Sequence, residues 1–193
     1  MKIIIAILLS FLCTGAQAQM HRDPLNEHEV DQLRENAQDA KKRVDLLLAF
    51  SRDRMLAIDR LRNSTKPGLD DPSKIGILLS DLAALIDELD DNLAMYSGHS
   101  EDLRRPLRHV IDVEAELQQK LKSLSDNATP LQKRRFATAL EDAIDSLSTS
   151  TESARATLAD QLQKKGEEKN KEKMDRQEAK QSPGTDASDA KHR

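Results

Sequence analysis

Histidines, one cysteine and a run of carboxylates are the side chains with which this 193-residue chain could do metal or redox chemistry. The histidines are His21, His28, His99, His109 and His192. No pair of them has the H-x-x-x-H or H-E-x-x-H spacing that puts two imidazoles on one helix face for zinc. No Glu-x-x-His occurs, so the di-iron carboxylate pattern of helical bundles is absent. No C-x-x-C-H occurs, so covalent haem attachment is excluded. A non-covalent haem could take His109 and Met55 as axial ligands. A surface histidine near a helix start and a core methionine explain the same two residues more simply, and the chain has only one Tyr, three Phe and no Trp to line such a pocket. Asp87, Glu88, Asp90 and Asp91 are too close together on a continuous helix to build a calcium cage, and they read as a solvated acidic face. Neither a G-x-S-x-G elbow nor a Gly-rich phosphate loop is present. The expectation is a protein that is not an enzyme, with no cofactor and no metal.

Cationic side chains cluster at Lys41-Lys42-Arg43, at Arg104-Arg105 with Arg108, and at Lys133-Arg134-Arg135. A net charge of −4 and an aromatic content of 2% argue against nucleic-acid binding, which draws on excess positive charge and stacking rings. Arg104, Arg105 and Arg108 remain as candidate contacts for an acidic protein partner, against the simpler reading of a soluble helix surface.

The first residues carry an address. Lys2 supplies a positive start, Ile3 to Cys13 an apolar run, and Ala16-Gln17-Ala18 an A-x-A site, so 1–18 is expected to be a signal peptide cleaved before Gln19. The apolar run is too short to anchor in a bilayer, so no membrane span is expected after its removal. Cys13 leaves with it, and the mature chain then has no disulfide and no thiolate ligand. The expected location is periplasmic or secreted.

Four stretches of the mature chain have apolar residues at spacings of three and four, the mark of amphipathic helices. They fall at about 27–63, 72–97, 103–125 and 130–163. The first carries Val30, Leu33, Ala37, Ala40, Val44, Leu47 and Leu48. The second is the most apolar, with Ile75, Leu78, Leu79, Leu82, Leu85, Ile86 and Leu89. It starts with Asp71 as a cap and Pro72 at the first helical position, and Gly98 ends it. Pro67-Gly68 marks the turn before it. The third carries Leu107, Val110, Val113, Leu117 and Leu121. The fourth opens on Thr129-Pro130-Leu131-Gln132, a capping box, and carries Phe136, Leu140, Ile144 and Leu147. Ser146 to Ser153 is Ser/Thr-rich and reads as exposed and weakly packed.

Short connections make successive helices antiparallel neighbours, so the expected fold is all-α, an up-down-up-down four-helix bundle over 19–163. Charge agrees. Residues 41–62 hold seven basic and three acidic side chains, and residues 73–97 hold five acidic and one basic. Each exposed pair adds only ~0.2–1 kcal/mol, so charge selects partners more than it stabilises. The longer first and fourth helices would project together as a stem, with Ala37, Ala40 and Ala154 allowing close approach. Residues 164–193 hold nine basic and seven acidic residues with little to bury, and read as a disordered charged tail, its first half a transient helix.

Thr129-Pro130-Leu131-Gln132 followed by Arg135-Phe136 resembles the LTxxQ helix start of small periplasmic helical chaperones and stress adaptors. The likeness spans fewer than ten residues, occurs once, and has Ala128 where that motif has Leu. It implies a holdase or stress adaptor as the second reading. The first is a non-enzymatic interaction or scaffold protein of the bacterial cell envelope. Export makes a direct prediction: N-terminal sequencing of the exported protein should begin at Gln19, and a chain beginning at Met1 would refute the cleavage site.

Overall fold

A computed structural model describes residues 22–63, 72–99 and 101–181, with side chains as far as residue 177. The described residues are all-α: five helices and no strand. They are α1 (Glu27–Glu35), α2 (Ala40–Arg62), α3 (Pro72–Gly98), α4 (Arg104–Asn127) and α5 (Pro130–Gln181). The signal peptide, the Pro67-Gly68 turn, the Asp71 cap and residues 182–193 lie outside the described residues.

One expected helix is two. Asn26 opens α1 with a capping box: its side chain accepts the Glu29 N–H at 3.0 Å, and Glu29 Oε2 accepts the Asn26 N–H at 2.9 Å. Asn36 closes α1, donating through Nδ2 to Gln32 O at 2.8 Å. Asp39 then caps α2 by accepting the Lys42 N–H at 3.0 Å. Side chains that bond to nearby backbone compete with helix at this point, and the unbroken helix expected over 27–63 gives way to a turn at 36–39.

The core is mostly apolar. Val44, Leu47, Met55 and Ile58 of α2 are fully buried, as are Leu79, Leu82, Leu85, Ile86 and Leu89 of α3. Leu107, Val110, Leu117 and Leu121 of α4 and Ala143 and Leu147 of α5 complete it. α2 packs on α1, α3 and α4, and α5 packs on α3 and α4; among the described residues α3 and α4, expected as antiparallel neighbours because their connection is short, do not pack on each other, since α2 and α5 each cover a flank of α3. Thr129 and Gln132 form the capping box expected at the start of α5, with Gln132 Oε1 accepting the Thr129 N–H at 2.9 Å. No helix among the described residues is long and apolar enough to cross a membrane.

One expectation about the ends is corrected. The first helix does not project as half of a stem. α1 doubles back along α2, and Ala40 and Ala154 are in the core at 6% and 1% exposure. The helix expected in the first half of the tail is continuous with α5. α5 continues unbroken to Gln181, and its described side chains from Leu162 to Gln177 are exposed. Helix extends there by propagation from a turn already formed, which costs far less than nucleation.

Two arginines of α2 hold the arm formed by residues 22–36. Arg54 donates Nη1 to Glu29 Oε1 at 2.8 Å and Nη2 to Glu29 Oε2 and Pro24 O, both at 2.6 Å. Eleven residues earlier, three turns along the same face, Arg43 donates Nη1 to Leu33 O at 3.1 Å and Nε to Asn92 Oδ1 at 3.0 Å. Leu33 O belongs to the last turn of α1, where carbonyls lack helical partners. Burial pushes the Glu29 carboxyl up, but the Arg54 hydrogen bonds and the Asn26 N–H hold it below the usual glutamate range. A nine-residue helix does not persist alone in water. Arg54→Ala should therefore release the arm, leaving Glu29 a buried charge without its partner, a loss of about 3 kcal/mol locally. Amide exchange across 26–36 should accelerate while α3 stays protected; unchanged protection of the arm would refute its dependence on Arg54.

Candidate functional site

Of the three candidate contact arginines, Arg104 is taken up by a neighbour, and the other two are left to solvent. Leu103, Pro106 and Leu107 are buried, and they orient the first turn of α4. Arg104 turns back on Asp102, donating Nε to Oδ1 at 2.7 Å and Nη2 to Oδ2 at 2.5 Å. That fork holds the Asp102 carboxyl down to about 2. Arg105 and Arg108 are exposed.

A cleft of about 290 Å³ adjoins this turn, between the ends of α3 and α4 and the middle of α5. Gln161 stitches it: its Oε1 accepts the Leu103 N–H at 3.0 Å, and its Nε2 donates to Glu101 O at 2.8 Å. The cations of the cleft are matched in place. Arg104 meets Asp102, Lys164 meets Asp160 at 2.7 Å, and Lys165 meets Glu168 at 3.9 Å. Four carboxylates, Glu101 among them, face these three cations, so the cleft offers no concentrated field to an anion.

A second polar locus lies inside the core. Glu114 of α4 is 0% exposed, and Ser150 and Thr151 of α5 are 2% and 3% exposed. Ser150 Oγ lies 2.7 Å from Glu114 Oε1, and Thr151 Oγ1 lies 2.7 Å from both Glu114 Oε2 and Leu147 O. Gln118 Nε2 donates to Leu147 O at 3.3 Å. Burial pushes the Glu114 carboxyl above the usual glutamate range; the Ser150 and Thr151 hydroxyls oppose this, and Asp90 adds to it. Proton counting points the same way. Thr151 carries one hydroxyl proton, and donating it to Leu147 O leaves its oxygen free to accept from a protonated Glu114. The trio is closed to solvent, so its chemistry is structural: it pins α4 against α5.

This locus overturns the reading of Ser146–Ser153 as exposed. Its signal was available in the sequence: Glu114 falls inside the apolar stripe between Val110 and Leu117, where a solvated carboxylate does not belong. Asn26-x-x-Glu29 was a legible capping box as well. Arg43 and Arg54 carried no such signal, because their partners are remote in sequence.

His109 is exposed and Met55 fully buried. Among the described residues no group of three or more His, Cys, Asp or Glu is placed to hold a metal ion. No family model, no curated protein and no solved structure matches the chain.

Glu114→Gln keeps shape and donates as a neutral acid does, so it should fold with near-native stability. Glu114→Ala takes from the buried Ser150 hydroxyl its partner and leaves Thr151 only its bonds to Leu147 O and Gln118, and should cost about 2 kcal/mol. The pH dependence has a definite sign. With its folded value raised, Glu114 keeps its proton in the native state while the unfolded chain loses it. Stability therefore falls as pH rises from the ordinary glutamate range to the raised value, and is level above it. Chemical denaturation of wild type and Glu114→Gln across this range checks it; a stability difference that does not change with pH would refute a buried neutral acid.

Proposed function

We propose that this protein is an exported, non-enzymatic interaction or scaffold protein of the bacterial cell envelope, built as a four-helix bundle of α2 to α5 in which successive helices run in opposite directions, with α1 strapped to its side. The bundle reading is supported by which residues meet. Arg43 near the start of α2 reaches Asn92 near the end of α3. Arg52 and Asp59 of α2 meet Glu116 and Lys120 of α4 in rising order, at 3.4 and 4.0 Å. Gln118 meets Leu147 and Leu103 meets Gln161, the opposite order expected of antiparallel α4 and α5. A Cβ on Gly76 of α3 would stand 3.6 Å from Phe136 Cβ of α5, and Ser97 shares a cleft with Gln161, the rising order of a parallel pair.

The observation that carries the function is the bare end of α5. From Leu162 to Gln177 every side chain is exposed on a helix continuous with the core. At 1.5 Å per residue, the helix from Leu162 to Gln181 is about 30 Å long. A charged rod set on a rigid base suits contact with another protein. The competing reading is the holdase, which needs apolar surface for unfolded clients; Leu162 and Met174, at 44% and 61% exposure, are the apolar side chains the rod offers.

Crosslinking capture from the native envelope tests the choice, comparing the mature chain with one ending at Leu162. One dominant partner, lost on truncation, is the expected result, with the melting temperature nearly unchanged. Capture of many unrelated proteins, together with suppressed aggregation of reduced insulin, would overturn the scaffold reading in favour of the holdase.

A further inference from the structure

The outer face of α3 and α5 has a charge pattern that is its own complement. Lys133, Arg134 and Arg135 occupy the first turns of α5; Glu141, Asp142 and Asp145 follow on the next two, and all six are exposed. None is held in an ion pair among the described residues. They cannot neutralise each other along the helix. Arg134 and Glu141, like Arg135 and Asp142, are seven residues apart, about 10 Å of rise, whereas helical pairs form at three or four. Between the two charge blocks the surface is small: Ala137 and Thr138 on α5, Ser80 and Ala84 on α3. These residues line a groove of about 740 Å³ together with Ile77, an isoleucine left 43% exposed.

We propose that this face pairs with the same face of a second copy of the chain, antiparallel about a two-fold axis at Thr138. Arg134 and Asp142 lie four residues either side of Thr138, and Arg135 and Glu141 lie three either side. An antiparallel copy thus brings each arginine opposite a carboxylate of its partner. A parallel copy sets like charge on like charge. The small residues at the axis let the helices approach, and Ile77 of each copy is covered near the centre. An isologous contact needs this self-complementarity, and a foreign partner would not. The two bare ends of α5 would then point in opposite directions, free for other contacts.

Sedimentation equilibrium of the mature chain at low salt should give twice the monomer mass, falling toward monomer at high salt as the ion pairs are screened. Arg134→Glu with Arg135→Glu, and separately Glu141→Lys with Asp142→Lys, should each sediment as monomers with unchanged helical circular dichroism. Mixed one to one, the two variants regain complementary charge and should recover the doubled mass. Wild type that stays monomeric, a dimer that survives both variants, or a mixture that fails to reassociate would overturn the proposal.

Discussion

Burial of α3 is the constraint on which the other helices depend. Ile75, Leu79, Leu82, Leu85, Ile86, Leu89 and Leu93 leave at most 3% of their surface to water. At about 25 cal/mol per Å² of apolar area, covering such side chains outweighs any charge pair on the surface. No single neighbour covers them. α2 packs on one flank and α5 on the other, and α4 closes the core behind both. The acidic side of α3, with Asp87, Glu88 and Asp91, is the part left to water.

Leucine packing alone is permissive about register. Sliding one helix past another by a turn replaces leucine with leucine at modest cost, so a core of this composition admits several alignments. The buried polar groups remove that freedom. Glu114 finds hydroxyls only at Ser150 and Thr151, and Asn92 finds the Arg43 guanidinium at one level. A slip would leave an unpartnered carboxyl inside the core, which costs more than the contacts it exchanges. The arm uses the same device. Arg43 and Arg54 read backbone carbonyls at Leu33 and Pro24, so their spacing of three turns sets where the arm lies.

The helical class and the residues of the core were legible because both follow from local pattern. The stripes through Leu79, Leu82 and Ile86, or Leu117 and Leu121, repeat at the period that buries one face. The break at 36–39 was hidden because Leu33, Ala37, Ala40 and Val44 keep a perfect helical spacing across it; only Asn36 and Asp39, as cap residues, mark the turn. The partners of Glu114 were hidden for a different reason. Ser150 and Thr151 are ordinary surface residues until a carboxyl from α4 arrives, and sequence alone does not say which side chain lies opposite. The arginines at 104, 105 and 108 form a cluster in sequence, but Arg104 is drawn back to Asp102, which leaves Arg105 and Arg108 as the exposed pair.

The extension of α5 shows what an accounting of burial omits. Judged as an isolated segment, residues from Lys164 onward bury nothing and should not order. They are not isolated. α5 is nucleated and held by Phe136, Leu140, Ala143 and Leu147, and each further residue adds one backbone hydrogen bond at the cost of its own conformational freedom alone. Side-chain contacts at three and four residues, Lys164 with Asp160, Lys165 with Glu168 and Gln163 with Glu167, tilt that balance further. The described helix ends at Gln181, and Ser182-Pro183-Gly184 follows it in the sequence; proline disfavours helix at the residue before it. The consequence is one of direction more than reach. A flexible tether of twenty residues spans about 25 Å on average with no preferred heading. A helix of the same twenty covers about 30 Å along a line set by the core beneath it, so whatever meets its far end meets it at a fixed position relative to α3 and α4.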